Sequence, residues 1–143
     1  MKLYFQRAEA WDENDELMAE LQPYASAILE NPPHSGYWDP RGLFAVHITN
    51  VIQNIDDCKS ALKVIDLVKG GGSALEILSD KYEIRKARIE PSGVTFFIRC
   101  GENDEETYKG WVSLGKYITS ISYWRDFLSA HDCRERFVDI PDH

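Results

Sequence analysis

The sequence predicts an α+β fold, with N-terminal helices packed on a small antiparallel sheet (a β-hairpin or meander) and a C-terminal helix. Three observations carry this expectation. Apolar residues recur at helical spacing up to about residue 80, alternate at period two from Tyr82 to Leu114, and return to helical spacing from Ser122. Pro91-Ser92-Gly93 joins two of the alternating runs, which is the signal of an antiparallel hairpin. Helices first and strands later is the order of an α+β chain. A length of 143 residues fits a single globular domain spanning 1–143.

Each element has a local reason. KLYFQ (2–6) alternates Leu3 and Phe5 against polar neighbours, the pattern of a short edge strand or an N-terminal tether. In residues 12–30, Leu17, Met18, Leu21, Tyr24, Ala25 and Ile28 fall at helical spacing. Asp12, Glu13, Asp15 and Glu16 would occupy the first turn of that helix and complement its dipole, and Pro23 would kink or restart it. Residues 31–42, with three prolines and two glycines, form a loop. A second helix runs from about Leu43 to Gln53, with Phe44, His47, Ile48, Val51 and Ile52 on one side. Asn54 caps a third, whose buried stripe is Cys58, Ala61, Leu62, Ile65 and Val68, and Gly70, Gly71 and Gly72 end it. Ser73 and Glu76 have capping-box spacing for a short helix over 73–80.

Residues 82–90 and 94–100 read as the two strands of the hairpin, and 108–114 as a third strand. Val94, Phe96 and Ile98 share one face, Tyr108, Val112 and Leu114 can share theirs, and Phe97 and Trp111 project the other way. The final helix, 122–132, starts at Ser122 and buries Trp124, Phe127, Leu128 and His131. The tail packs through Phe137 and Ile140, or frays.

An apolar fraction of 43% and a charged fraction of 28% are those of an ordinary soluble globule. Cys58, Cys100 and Cys133 are odd in number and far apart, which favours reduced thiols and a cytoplasmic location over a disulfide framework. No run of residues approaches the length a membrane span requires, and the acidic N-terminal stretch lacks the apolar core of a secretion signal. The net charge of −8 is uneven: residues 1–60 hold ten acids against four bases, and the remainder fourteen against twelve. Such a chain repels a polyanion at long range and attracts a basic protein, so nucleic acid is not an expected partner.

The densest feature is ENDEE (102–106), with four carboxylates and no base among them. Calcium ligation needs oxygen ligands alternating around a turn glycine, with a later bidentate acid, and this loop has neither the glycine nor the acid. It reads either as a polar hairpin apex or as a surface facing a partner. An aromatic residue beside clustered acid is the anatomy of an interface with a desolvated anchor and a charged rim. Trp38, in the proline-bounded YWDP (37–40), is either a plug between helices or a recognition tip. The glycines of KGGGSALE (69–76) expose N–H groups before a helix, but no strand precedes them and the lysine comes first, so a helix–helix joint is the simpler reading.

His131, Asp132 and Cys133 are adjacent and so point apart on a helix, which does not make a thiol–base pair. His47 and Cys58 sit on apolar stripes, as core residues do. No nucleophile, zinc, kinase or dinucleotide motif occurs, so no catalytic residue, cofactor or metal ligand is expected.

Its length, its charge of −8, the acidic stretches DENDE (12–16) and ENDEE, and the tryptophans of YWDP and SYWRDFL (122–128) give the chain a resemblance of kind. It resembles the small acidic immunity proteins that bacteria make alongside contact-dependent and other polymorphic toxins. That family type shares no motif to lay over this sequence, so no residue role is carried across. The resemblance implies a cytoplasmic inhibitor that binds one cognate toxin domain, often a basic nuclease, and blocks it by charge and shape. The expected partner-binding residues are Glu102, Asp104, Glu105, Glu106, Phe97, Trp111 and Trp38. The alternatives are an adaptor subunit of a larger complex, or a small enzyme or ligand-binding domain. The latter would use a pocket lined by Trp38, His34 and His47, or by His131 and Cys133.

Overall fold

The computed structural model describes residues 1–28, 40–71, 76–81, 84–99 and 107–141. Its elements run β1 (Lys2–Ala8), β2 (Gln22–Ile28), α1 (Pro40–Val51), α2 (Ile55–Lys69), β3 (Glu76–Ser79), β4 (Arg85–Glu90), β5 (Gly93–Arg99), β6 (Thr107–Val112), α3 (Leu114–Ser129) and β7 (Glu135–Asp139). The class is α+β. The strands make two antiparallel sheets, a three-stranded one in the order β2-β1-β7 and a four-stranded meander in the order β3-β4-β5-β6.

Helices separate the two sheets. α1 packs on β2 on one side and on β4, β5 and β6 on the other, which explains why Leu43, Phe44, Ala45, His47 and Ile48 are all buried around its circumference. Phe44 stacks on Phe96 of β5 at 5.1 Å between ring centroids. From the smaller sheet, Phe5 meets Trp124 of α3 edge-on at 5.0 Å. Trp124 is fully buried, and its indole N–H donates to the carbonyl of Ile52 at 2.7 Å, satisfying backbone just past the end of α1. Each sheet thus has one face on the core and one in solvent, as antiparallel sheets allow.

Several predicted elements stand. Asn54 caps α2: its side chain accepts from Asp57 N–H at 2.8 Å, while the Asp57 carboxylate accepts from Gln53 N–H at 2.9 Å. The β4–β5 hairpin turns on Pro91-Ser92, with Glu90 opposite Gly93. Val94, Phe96 and Ile98 are buried, and Val112 joins them from β6.

Others are corrected. Residues 12–30 do not begin with a helix. The Asp12 carboxylate accepts from the N–H groups of Asn14 (2.8 Å) and Glu16 (3.1 Å), and Asp15 takes a left-handed φ of 57°. That turn reverses the chain, bridges Trp11 to Leu17, and sends 22–28 back along β1 as β2. The Thr49 hydroxyl of α1 then accepts from Ala25 N–H at 2.9 Å and donates to Ala25 C=O at 3.2 Å, so a helix side chain takes up backbone groups of β2. Pro23 sits in that strand opposite Arg7. β1 is consequently a central strand, neither an edge nor a tether.

The short helix over 73–80 is also overturned: Glu76–Ser79 pairs with β4 as a strand, and Ser73 lies outside the described residues. The third strand stops at Val112, because Ser113 caps α3 by accepting from Lys116 N–H at 3.2 Å. The last helix therefore begins at Leu114 rather than Ser122, and Ser122 instead bonds back to the Ile118 carbonyl. His131 lies past the helix end and is exposed. The chain does not close on that helix: the tail forms β7 against β1, burying Val138 and Ile140 and leaving Phe137 outside.

Candidate functional site

Two surfaces of opposite sign stand out. The first is the tip between β1 and β2. The Asp12 turn, closed also by hydrogen bonds from Asp12 N–H to Glu16 C=O (2.9 Å) and from Met18 N–H to Ala10 C=O (2.9 Å), holds a short ribbon beyond the sheet. On it Trp11 is 60% exposed, Leu17 56% and Met18 39%. Asp12, Glu13, Asp15, Glu16 and Glu20 are exposed along the same stretch of chain. Lys81 pairs with Glu13 at 3.2 Å in a largely solvated ion pair, which offsets one of these five negative charges and adds little to stability. The ribbon therefore joins large apolar side chains to exposed carboxylates.

The second surface is the outer face of the larger sheet. Phe97 and Trp111 do lie there together, one residue pair apart along β5 and β6: Phe97 opposes Lys109 and Trp111 opposes Thr95. Trp111 is 54% exposed. Its indole packs against Gly93, so close that a Cβ at Gly93 would come within 2.6 Å of the ring. Phe97 is half-buried beneath two cations, with the Arg88 guanidinium 5.2 Å and the Lys109 ammonium 5.8 Å from its centroid. Lys86, opposite Phe97 on β4, and Arg99 carry the same sign, and Glu90 is the acid on this face. The described rim around Phe97 and Trp111 is thus cationic. Glu102, Asp104, Glu105, Glu106 and Trp38 lie outside the described residues.

Of the residues suggested for a pocket, His34 and Trp38 lie outside the described residues, and His47 lies in the core. His47 is buried against Phe96 and Tyr117, with its Nε2 2.8 Å from the Tyr117 hydroxyl. Burial lowers its pKa to about 3, so the ring is neutral at pH 7. Burial also raises Tyr117, and it pushes the Cys58 thiol up to about 11, away from nucleophilic thiolate. His131 is exposed and Cys133 half-buried, beyond α3, where the Cys133 thiol contacts the Glu135 carbonyl at 3.3 Å. Gly70 closes α2 through the Asp66 carbonyl, Gly71 has φ 82°, and Gly72 lies outside the described residues. Among the described residues no three His, Cys, Asp or Glu side chains gather as a metal site, and no helix is long and apolar enough to cross a membrane.

An open groove of about 420 Å³ crosses the outer face of the smaller sheet between Lys2, Ile28, Phe137, Val138 and Asp139. Phe137 there stacks on Tyr4 at 4.6 Å. The Tyr4 hydroxyl donates to Glu135 at 2.7 Å, a bond that raises its pKa.

Sequence reasoning found the placement of Phe97 and Trp111 and missed the Trp11–Met18 ribbon. The missed signal was D-E-N-D-E between Trp11 and Leu17, a run holding the turn formers Asp12, Asn14 and Asp15 that helix periodicity masked. Comparison with known protein families, with characterised proteins and with solved structures found no match for this chain.

Proposed function

We propose that this chain is a binding protein that docks on and blocks a basic protein partner, in the manner of the immunity proteins it resembles. One observation carries the reading: Trp11, Leu17 and Met18 stand in solvent on a hydrogen-bonded turn whose other exposed residues include Asp12, Glu13, Asp15 and Glu16. Exposing a tryptophan and two long aliphatic side chains together forgoes on the order of several kcal/mol of burial that a partner can recover. The carboxylates of the turn speed the encounter with a cationic surface and reject acidic ones. The acids of residues 102–106 add to the overall charge of −8.

The experiment is a pull-down from the source cell at low ionic strength, run in parallel with wild type, with Glu13→Lys/Glu16→Lys and with Trp11→Ala. Asp12 is left intact because its carboxylate closes the turn. A cationic protein held by wild type and lost by both variants is the expected result. A cationic protein held equally by all three would remove the ribbon from the interface.

A further inference from the structure

In a chain of net charge −8, the outer face of β4, β5 and β6 carries four cations, Lys86, Arg88, Arg99 and Lys109, against one acid among its described residues, Glu90. The row across its middle reads Lys86, Phe97, Lys109, and the next reads Arg88, Thr95, Trp111. Lysine is depleted from the cores of protein–protein interfaces, whereas lysine and arginine interleaved with aromatic rings make the footprint that tracks a phosphate backbone and stacks its bases. Trp111 offers the ring such stacking needs. The ring packs against Gly93, which fixes the indole, and the residue is still more than half exposed. Arg88, held over Phe97, presents a second planar group beside it.

We infer that this face binds single-stranded nucleic acid, with a base stacked on Trp111 and adjacent phosphates on Lys86, Arg88 and Lys109. Duplex is a poor fit, because its bases are already stacked and cannot reach the indole. The long-range field of the whole chain opposes the approach, so binding is modest and confined to a short stretch of strand. With three phosphates neutralised, the logarithm of the association constant should fall with the logarithm of salt at a slope of about −2. This site is independent of the Trp11–Met18 ribbon.

The test is fluorescence anisotropy of a labelled oligonucleotide of about ten nucleotides, a length within the range single-strand sites cover, titrated at low salt. Wild type should bind saturably, with the salt slope above. Trp111→Ala should weaken binding about tenfold or more, and Trp111→Phe should recover most of it. Lys86→Glu/Lys109→Glu, which alters only side-chain ends on the sheet face, should abolish binding with an unchanged melting curve. That pair carries the test if Trp111→Ala fails to fold. Trp11→Ala should bind the oligonucleotide like wild type. The inference is overturned by the absence of saturable binding, by equal affinity for a duplex, or by undiminished binding in the lysine pair variant. It is overturned equally if polyglutamate of similar length competes at the same or lower concentration, which would make the occupant an acidic polypeptide.

Discussion

Arg7 shows how much one side chain can hold. From β1 its guanidinium donates to the carbonyls of Phe127 (2.9 Å), Leu128 (3.4 Å), Ala130 (3.2 Å) and Cys133, and it lies 4.4 Å over the Phe127 ring. A cation at the C-terminal end of α3 meets the negative end of the helix dipole and satisfies carbonyls the helix leaves open. Arg7→Ala should therefore lower stability by about 2 kcal/mol, a sum of lost charged hydrogen bonds and lost packing. Urea unfolding should show a reduced midpoint at unchanged slope; a loss below about 0.5 kcal/mol would place Arg7 among ordinary surface residues. His47 makes a prediction in pH. The unfolded chain takes up a proton as pH falls through 6.5, while burial delays uptake in the folded chain to about pH 3. The stability this residue contributes is complete above pH 6.5 and drains away as pH falls towards 3, by about 1 kcal/mol between pH 6 and pH 5. His47→Gln, which still offers Tyr117 a hydrogen-bond partner, should flatten the unfolding profile over that interval. An equally steep profile would assign the titration to another group.

At the scale of elements, what could be read from sequence and what could not divide along the reach of the interactions involved. α2 was legible because everything that defines it is local: Asn54 and Asp57 at its start, a stripe from Cys58 to Val68, and Gly70 at its end. The β4–β5 hairpin was legible for the same reason. β2 was not, because QPYASAI has no strong preference of its own. It becomes a strand through β1 on one side and Thr49 on the other, contacts that lie fourteen or more residues away. β3 and β7 likewise exist through partners. The position of Phe97 and Trp111 followed from period two, but the sign of the charge around them required knowing that β4 lies beside β5 and brings Lys86 and Arg88. The Gly93–Trp111 contact is an element-scale prediction. Gly93→Ala would drive a methyl into the indole at a backbone φ of 156°, costing about 1–3 kcal/mol. The same substitution in a Trp111→Ala background should cost measurably less. Additive costs in that double-mutant cycle would mean the two residues are not coupled.

Taken as a whole, the molecule is a helical layer between two sheets with a negative ribbon projecting from one sheet and a cationic aromatic face on the other. Such segregation gives each surface its own class of partner, and it makes both associations depend on salt through different residues. The basic partner should be released by salt in wild type and in the Lys86→Glu/Lys109→Glu variant alike, because that pair lies off the ribbon. The measurement that bears most directly on the proposed function is the association rate of the purified chain with its basic partner across a salt series, for wild type and for Glu13→Lys/Glu16→Lys. The rate should fall steeply with salt in wild type and be about tenfold or more slower at low salt in the variant, with the melting temperature unchanged. Equal rates for the two proteins at low salt would contradict docking through the acidic ribbon.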